Sequence, residues 1–304
     1  MYSHDIIKKR VLLVGANGML GQRVIDFFTK QHNVQLLGCS VEPGPFFENA
    51  DYVSCDITKR EEIKKVVLDF YPDVIINTAA YTNVDKSETE RELAWKINVK
   101  GVEYLAESAR IIDAHFIHIS SDYIFDGKSG PYNENEKPNP LGYYGRTKLA
   151  SENALKISGS INTIIRTNVL YGIASKSRPD FVRWVVQSLR DRKEIRIVTD
   201  QFNNPTFIDD LVQAISKIIE FNKTGIFNIG GKEFLSRYDF TLIIADFFKL
   251  DKSLITPITT DELHQPAKRP LKSGLIILKA QTELDYKPCS IIDSLAIMKK
   301  ELSL

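Results

Sequence analysis

The sequence predicts an α/β fold, a doubly wound parallel sheet with a smaller, partly interleaved C-terminal region. Three observations lead to it. Short β-branched apolar runs alternate with longer segments of helical periodicity through the first half of the chain. The runs are continuously apolar, as strands covered on both faces must be. The regular alternation then loosens beyond Gly172.

The elements follow in order. Residues 11–14 (Val-Leu-Leu-Val) read as the first buried strand, and 19–31 as a helix with apolar residues at 20, 24, 27 and 28. Strands are expected at 34–39 and 52–54, a helix at 59–70, and a strand at 73–77. A long helix from about 89 to 113 leads into a strand at 116–120. Residues 126–142, rich in Gly, Pro, Asn and Glu, form a long loop of the kind that often carries function. A helix at 143–157 and a strand at 163–166 complete the regular part, and a later strand near 226–229 is expected to rejoin the sheet. The division this implies is a sheet domain at 1–170, with a return at about 200–228, and a second region at 171–199 and 229–304.

Composition narrows the function classes. Of 304 residues, 40 are Lys or Arg and 39 Asp or Glu, a net charge of +1, with 43% apolar and 26% charged. That balance excludes the basic excess of a nucleic-acid binder and the acidity of a disordered chain. The first residues, Met1 to Asp5, do not have the pattern of a secretory signal. No apolar run approaches the ~18 residues that span a bilayer. Three scattered cysteines, Cys39, Cys55 and Cys289, suggest neither a disulfide framework nor a metal site, so a cytoplasmic protein with reduced thiols and no metal is expected. His115 and His118 are three apart in a strand and point to opposite faces, unsuited to ligand pairing. Phe27, Phe28, Phe247 and Phe248 read as core, and the mixed-sign stretch 190–196 as solvated surface.

The chemistry begins at Gly15-Ala16-Asn17-Gly18-Met19-Leu20-Gly21, between the first strand and the first helix. This GxxGxxG run is a variant of the Rossmann fingerprint. Gly15 permits the tight turn, Gly18 lets the backbone approach a pyrophosphate, and Gly21 allows close helix–strand packing. The helix N-terminus then offers unpaired N–H groups to the anion. Gly15, Asn17, Gly18, Met19, Leu20 and Gly21 are the expected dinucleotide contacts. The second strand ends at Ser40 without the acid that would hold an adenosine ribose, and Glu42 comes late. Without that acid nothing repels a 2′-phosphate, which favours NADPH, with NADH also admissible. No Lys or Arg lies nearby in the sequence. Asp56, followed by Ile57, either accepts from an adenine amino group or caps the next helix.

Tyr144 and Lys148 form YxxxK, and on a helix they share a face. The ammonium is expected to lower the phenol's pKa toward neutrality. A phenol so placed can protonate an alkoxide as a carbonyl is reduced, a contribution of ~10²–10⁴-fold. Ser120-Ser121-Asp122-Tyr123 ends a strand at the ligand-binding edge of the sheet, where a hydroxyl can bond the same carbonyl oxygen.

Taken together, these motifs resemble the extended short-chain dehydrogenases/reductases, and within them the dTDP-4-dehydrorhamnose reductases. The resemblance runs through most of the chain. It includes Asn77 to Asp85, Ile97-Asn98, Ile119 to Gly127, Pro140 to Leu149, Arg166-Thr167, Asp200-Gln201-Phe202, Pro205-Thr206 and Arg269-Pro270. It implies that Ser121 orients a carbonyl, that Tyr144 is the acid, and that Lys148 tunes it and holds the nicotinamide ribose. Thr78, Ala79, Ala80 and Tyr81 would line the cofactor, and Asn98 would be the family's helix asparagine. The implied reaction is hydride transfer to C4 of a nucleotide-linked 4-keto-6-deoxy sugar. Asp122, Tyr123, Asn168 and Val169 would join Ser121 around that substrate. Gln201 either lines the sugar pocket or shapes a turn, and Arg269 either holds a nucleotide phosphate or lies on the surface.

Two details discriminate further. Sugar dehydratases carry Thr-Asp-Glu where this chain has Ser121-Asp122-Tyr123, which disfavours elimination. The rhamnose reductases usually carry a tryptophan where this chain has Val169, so the apolar face offered to the sugar differs. Two other readings stay open: a non-catalytic NADP-binding regulatory subunit resembling the beta subunit of methionine adenosyltransferase, and a nucleotide-sugar epimerase. A nucleotide sugar is the expected partner, with no nucleic acid or membrane, and a homodimer is compatible with the pattern.

Overall fold

The computed structural model describes residues 8–302. The segment Met1–Asp5, weighed above as a leader, lies outside them. Chain order begins with β1 (Lys9–Val14), α1 (Met19–Phe28), β2 (Val34–Ser40), β3 (Asp51–Ser54), α2 (Arg60–Phe70) and β4 (Val74–Asn77). Then come α3 (Arg91–Trp95), α4 (Gly101–Ile111), β5 (His115–Ser121), α5 (Tyr143–Ile157), β6 (Asn162–Thr167) and β7 (Leu170–Tyr171). The rest runs α6 (Phe181–Arg190), β8 (Ile195–Val198), β9 (Phe202–Asn203), β10 (Thr206–Phe207), α7 (Ile208–Glu220) and β11 (Gly225–Asn228). It ends with β12 (Leu235–Ser236), α8 (Arg237–Phe247), β13 (Ile255–Ile258), α9 (Thr260–Leu263), α10 (Leu278–Leu284) and α11 (Ile291–Glu301).

Seven strands form one parallel sheet in the order β11-β6-β5-β4-β1-β2-β3. The order reverses direction between β1 and β4, and a ligand crevice opens at such a switch point beyond the strands' carboxyl ends. The late strand β11 pairs with β6, so the sheet does draw on the second half of the chain. Smaller ladders, β7 with β10, β9 with β12 and β8 with β13, hold the remainder together.

The core lies on both faces, as the continuous apolar strands require. Val11 and Leu13 of β1 face the cluster built with Val24 and Ile25 of α1, Val185 of α6, Leu211 and Ile215 of α7 and Ile244 of α8. Leu12 and Val14 face the other cluster, with Ile63 and Val67 of α2 and Val102 and Leu105 of α4. Phe28 is buried, and Phe27, Phe247 and Phe248 pack against the same core. Around 190–196 every side chain except Ile195 is exposed.

The long helix expected at 89–113 is present with a fault in it. Between α3 and α4 the chain makes a π turn at Lys96–Lys100, the kind of local irregularity that re-aims a side chain. Cys39 and Cys55 are buried free thiols and Cys289 is a partly buried one. His115 bonds Thr163 and His118 lies between Asn77 and Ser151, on opposite faces of β5. No described helix is long and apolar enough to cross a membrane, and no three described His, Cys, Asp or Glu residues are grouped to hold a metal.

Candidate active site

The glycine loop turns from β1 into α1 at the switch point. Gly15 has φ +83°, and a Cβ there would stand 2.5 Å from the Ala79 nitrogen, so only glycine fits. A Cβ on Gly21 would collide with the Gly15 carbonyl oxygen and with Ala16. The N–H groups of Gly15 and Ala16 donate to the Cys39 carbonyl at 2.8 and 3.0 Å, tying the loop to β2. Gly18 is the N-cap of α1 and supplies no side-chain cap. The first-turn N–H groups, those of Met19 and Leu20 among them, therefore remain free to meet an anion. The cradle fits a dinucleotide pyrophosphate.

Asn17 is buried and faces the protein. Its N–H donates to Ser40 Oγ at 3.1 Å, and its amide donates to Glu42 and the Gly44 carbonyl and accepts from Phe46 N–H. It pins the loop after β2 over the glycine run. Asp56 accepts from Thr58 N–H and hydroxyl at 2.9 and 2.8 Å, a turn just ahead of α2, whose N-cap is Lys59. Ile57 is buried in the core against α4. Thr78 donates to the Val14 carbonyl at 2.9 Å, and with Ala79, Ala80 and Tyr81 it follows β4 beside Gly15, half-buried. Asn98, in the π turn, accepts from Tyr81 N–H at 2.8 Å and donates to the Tyr81 carbonyl and Thr147 hydroxyl. It binds the β4 loop to the helix that carries Tyr144.

Ser121, at the end of β5, accepts from Tyr123 N–H at 3.2 Å and donates to Asp122 Oδ1 at 3.0 Å. The Tyr144 ring meets that of Tyr123 edge-on, 5.8 Å between centroids. Burial dominates at the Tyr144 phenol, which stands beside Ser121, and the nearby Asp122 charge adds to it. The phenol is therefore pushed above its ordinary pKa. Here the structure corrects the expectation of a tyrosine tuned toward neutrality by Lys148. Lys148 Nζ donates to the Ile119 carbonyl at 2.7 Å, and burial pushes its own pKa down to about 8. In this arrangement Tyr144 is held protonated, the form in which an acid acts.

The expected substrate residues are more dispersed. Asp122 is buried, and burial pushes its pKa up to about 7. Asn168 has both ends of its amide engaged, donating to Asn204 at 2.7 Å and accepting from Thr206 at 2.9 Å. Val169 is half-buried and its carbonyl accepts from Thr206 N–H. Gln201 donates to Thr260 and Gln265 at 3.1 and 3.3 Å. Arg269 is no surface residue: it is largely buried, pairs with Asp85 at 2.9 Å and donates to the Ala267 carbonyl at 2.8 Å.

Several residues escaped the sequence reading. The segment between β7 and α6 crosses the cleft's rim. Ser175 bonds Gln22 and the Phe46 carbonyl, Lys176 Nζ lies 5.5 Å from the Phe46 ring, and Arg178 reaches Thr82 at 3.3 Å. Arg183 braces this segment through Asp180, Ser177 and the Arg178 carbonyl. Ser273 donates to Asp122 across 151 residues of sequence. Arg237 lies over the Phe181 ring at 4.7 Å, close enough for its charge to act on Asp122 and Tyr123. No spacing in the sequence relates any of these to the site.

The profile of the RmlD substrate binding domain matches residues 9–303. A dTDP-4-dehydrorhamnose reductase of Aggregatibacter actinomycetemcomitans is 34% identical over 291 residues, 92% of this chain and 94% of that one. The chain belongs to the RmlD substrate-binding family. A methionine adenosyltransferase 2 subunit beta of Xenopus tropicalis is also 34% identical, over 86% of this chain and 78% of that protein. Among solved structures, a dTDP-4-dehydrorhamnose reductase from Clostridium acetobutylicum superposes with a TM-score of 0.88 at 33% identity, covering 97% of this chain and all of that one. One from Bacillus anthracis, in complex with NADP, gives 0.83 at 29% identity, covering 97% and 99%. The RmlD family is the one the motifs resembled, and its parallel sheet is the fold they predicted.

Proposed function

We propose that this chain is a cytoplasmic, NADPH-dependent reductase of the C4 keto group in a nucleotide-linked 4-keto-6-deoxy sugar. The observation that carries the reading is the meeting of Ser121 and Tyr144 at the sheet edge, beside a glycine cradle open to a pyrophosphate. Family relatives named dTDP-4-dehydrorhamnose reductase support the substrate class.

Gly15, Gly18, Met19, Leu20 and Gly21 would hold the pyrophosphate, and Thr78 to Tyr81 would flank the nicotinamide half. Ser40, Asp56 and Ile57 border the adenosine end. Lys176, beside Phe46 in the loop after β2, would supply the cation that the end of β2 lacks and meet a 2′-phosphate. When bound, the reduced cofactor supplies a hydride. Ser121 bonds the sugar's carbonyl oxygen, and Tyr144 gives that oxygen its proton. Lys148, freed from the Ile119 carbonyl, would hold the nicotinamide ribose. Asp122, Tyr123, Val169, Gln201 and Arg269 border the substrate, with Asn168 shaping the loop behind. The substrate region is 171–199 with 229–304, and the sheet domain is 1–170 with about 200–228.

The test is oxidation of NADPH and of NADH with a panel of 4-keto nucleotide sugars. Tyr144→Phe should lower the rate ~10²–10⁴-fold while still binding cofactor. Undiminished turnover in that variant would sink the assignment of the acid. A second reading is favoured by the beta-subunit relatives: NADPH binding without turnover, with stable capture of a partner enzyme, would establish a regulatory subunit instead. A tightly retained cofactor with no net consumption would establish an epimerase.

A further inference from the structure

Ser121 has one proton, and in this structure that proton points away from any substrate, at Asp122 Oδ1. Its oxygen accepts from Tyr123 N–H. The other carboxylate oxygen of Asp122 accepts from Ser273 Oγ at 2.6 Å. Asp122 and Ser273 are each 2% exposed, so water does not replace either bond. Ser273 is held from both sides: its N–H donates to the Phe202 carbonyl at 3.0 Å, and the next residue but one, Leu275, donates to Asn204 at 2.8 Å. The hydroxyl that reaches the catalytic edge thus comes from a segment held by β9 and the residue after it, outside the seven-stranded sheet.

The geometry sets a constraint on Ser121. To bond a carbonyl oxygen it must turn its proton away from Asp122, which would leave a buried carboxylate oxygen without a donor, a costly state. If Asp122 itself carries a proton, the direction of the chain reverses. Asp122 then donates to Ser121 Oγ, Ser121 donates to the carbonyl, and Ser273 continues to donate to the other Asp122 oxygen. We propose that Ser273 is a positioning residue, and that the chain Ser273–Asp122–Ser121 aims the serine proton at the substrate only when Asp122 is protonated. This rests on the reductase reading. No proton leaves Asp122 in the reaction: the proton that reaches the sugar oxygen is that of Tyr144.

The charged and titratable groups around Asp122 favour the switch. Tyr123 and Tyr144 flank it from the adjoining turn and from α5, both neutral, since burial pushes both phenols up. Arg237 on α8 is the cation that acts on it, and the hydroxyls of Ser121 and Ser273 stabilise its ionised form. Burial is the larger effect and places the carboxyl near pH 7. Removing the Ser273 hydroxyl withdraws one stabilising bond from the carboxylate, so Asp122 should hold its proton to higher pH.

The experiment has two arms, both on the full chain. Infrared difference spectra across pH 5–9 follow the protonated-carboxyl band, which Asp122→Asn identifies by its loss. The band should titrate near neutrality in the unaltered protein and at higher pH in Ser273→Ala. An Asp122 band that is absent throughout, or that titrates identically in Ser273→Ala, overturns the proposal whatever the enzyme's substrate is. In the second arm, turnover at saturating substrate should fall about tenfold per pH unit above the Asp122 transition. That limb should move upward in Ser273→Ala. In Asp122→Asn, whose amide donates to Ser121 at every pH, it should move to the limb set by Lys148, pushed down to about 8. A basic limb unmoved in both variants, with their folds intact, would refute the aiming role. Titration as expected with no turnover on any keto sugar would refute the reductase reading instead, leaving the chain of bonds standing.

Discussion

Beneath the catalytic strand lies a buried ion pair whose removal gives a calculable result. Arg166 on β6 meets Glu152 on α5 through two bonds, 3.0 Å from Nε and 2.8 Å from Nη2, with side chains 1% and 0% exposed. Glu152 also accepts from the Ser120 hydroxyl at 2.6 Å, and Arg166 donates to the Glu134 carbonyl at 3.0 Å and stacks on Phe125. Glu152→Gln keeps the shape and removes the charge, leaving a guanidinium buried without its counter-ion. Breaking one side of such a pair costs ~3–5 kcal/mol. For a chain of this size that corresponds to a drop of about 5–8 °C in Tm. Thermal unfolding followed by circular dichroism measures it. Because α5 carries Tyr144 and Lys148, and Ser120 precedes Ser121, turnover should fall as well. Glu152→Leu combined with Arg166→Met removes both charges and should recover much of the stability, since paired apolar replacement avoids the orphaned ion. A Tm within about 2 °C of the parent in Glu152→Gln would refute this reasoning, as would a double variant less stable than the single.

Two further outcomes follow from the same structure. Lys176→Ala should raise KM for NADPH about tenfold, the loss of one charge-assisted contact, and leave KM for NADH little changed; equal effects on both cofactors would place this cation on the pyrophosphate. His115, buried against Thr163, has its pKa pushed down to about 4 by burial and by Lys9. The unfolded chain therefore binds more protons than the folded one between pH ~4 and ~6.5, so stability rises with pH across that window and is lost on acidification. Denaturant midpoints of His115→Gln should show a shallower slope over that range, and a slope equal to the parent's would exclude His115 as its source.

The strand and helix pattern was readable because each element carries its own periodicity. The strands of the sheet, α1, α2 and α5 lie within a few residues of their expected bounds. The exception in the long central helix is instructive. The π turn at Lys96–Lys100 leaves no mark on the apolar pattern, yet it lets Asn98 bond both Tyr81 and Thr147. Tyr144 and Lys148 were legible as a pair, but their electrostatics were not. Sequence spacing suggested that the lysine governs the phenol, whereas burial governs both groups. Arg269 was singled out, though only the fold supplies its partner Asp85.

Local order along the chain was thus enough to assign the α/β class, the glycine cradle and the helix bearing the YxxxK pair, because backbone turns, helix ends and i, i+4 faces are set by neighbours in sequence. Tertiary structure alone decided which distant groups touch the site. It brought Ser273 to Asp122, Arg166 to Glu152, and Lys176 to the loop that Asn17 holds. Those contacts join residues from 14 to 151 apart in sequence. The Ser273 and Lys176 contacts depend on how the second region packs across the sheet's edge, the Arg166 pair on how α5 covers β6, and all on burial that no local spacing encodes.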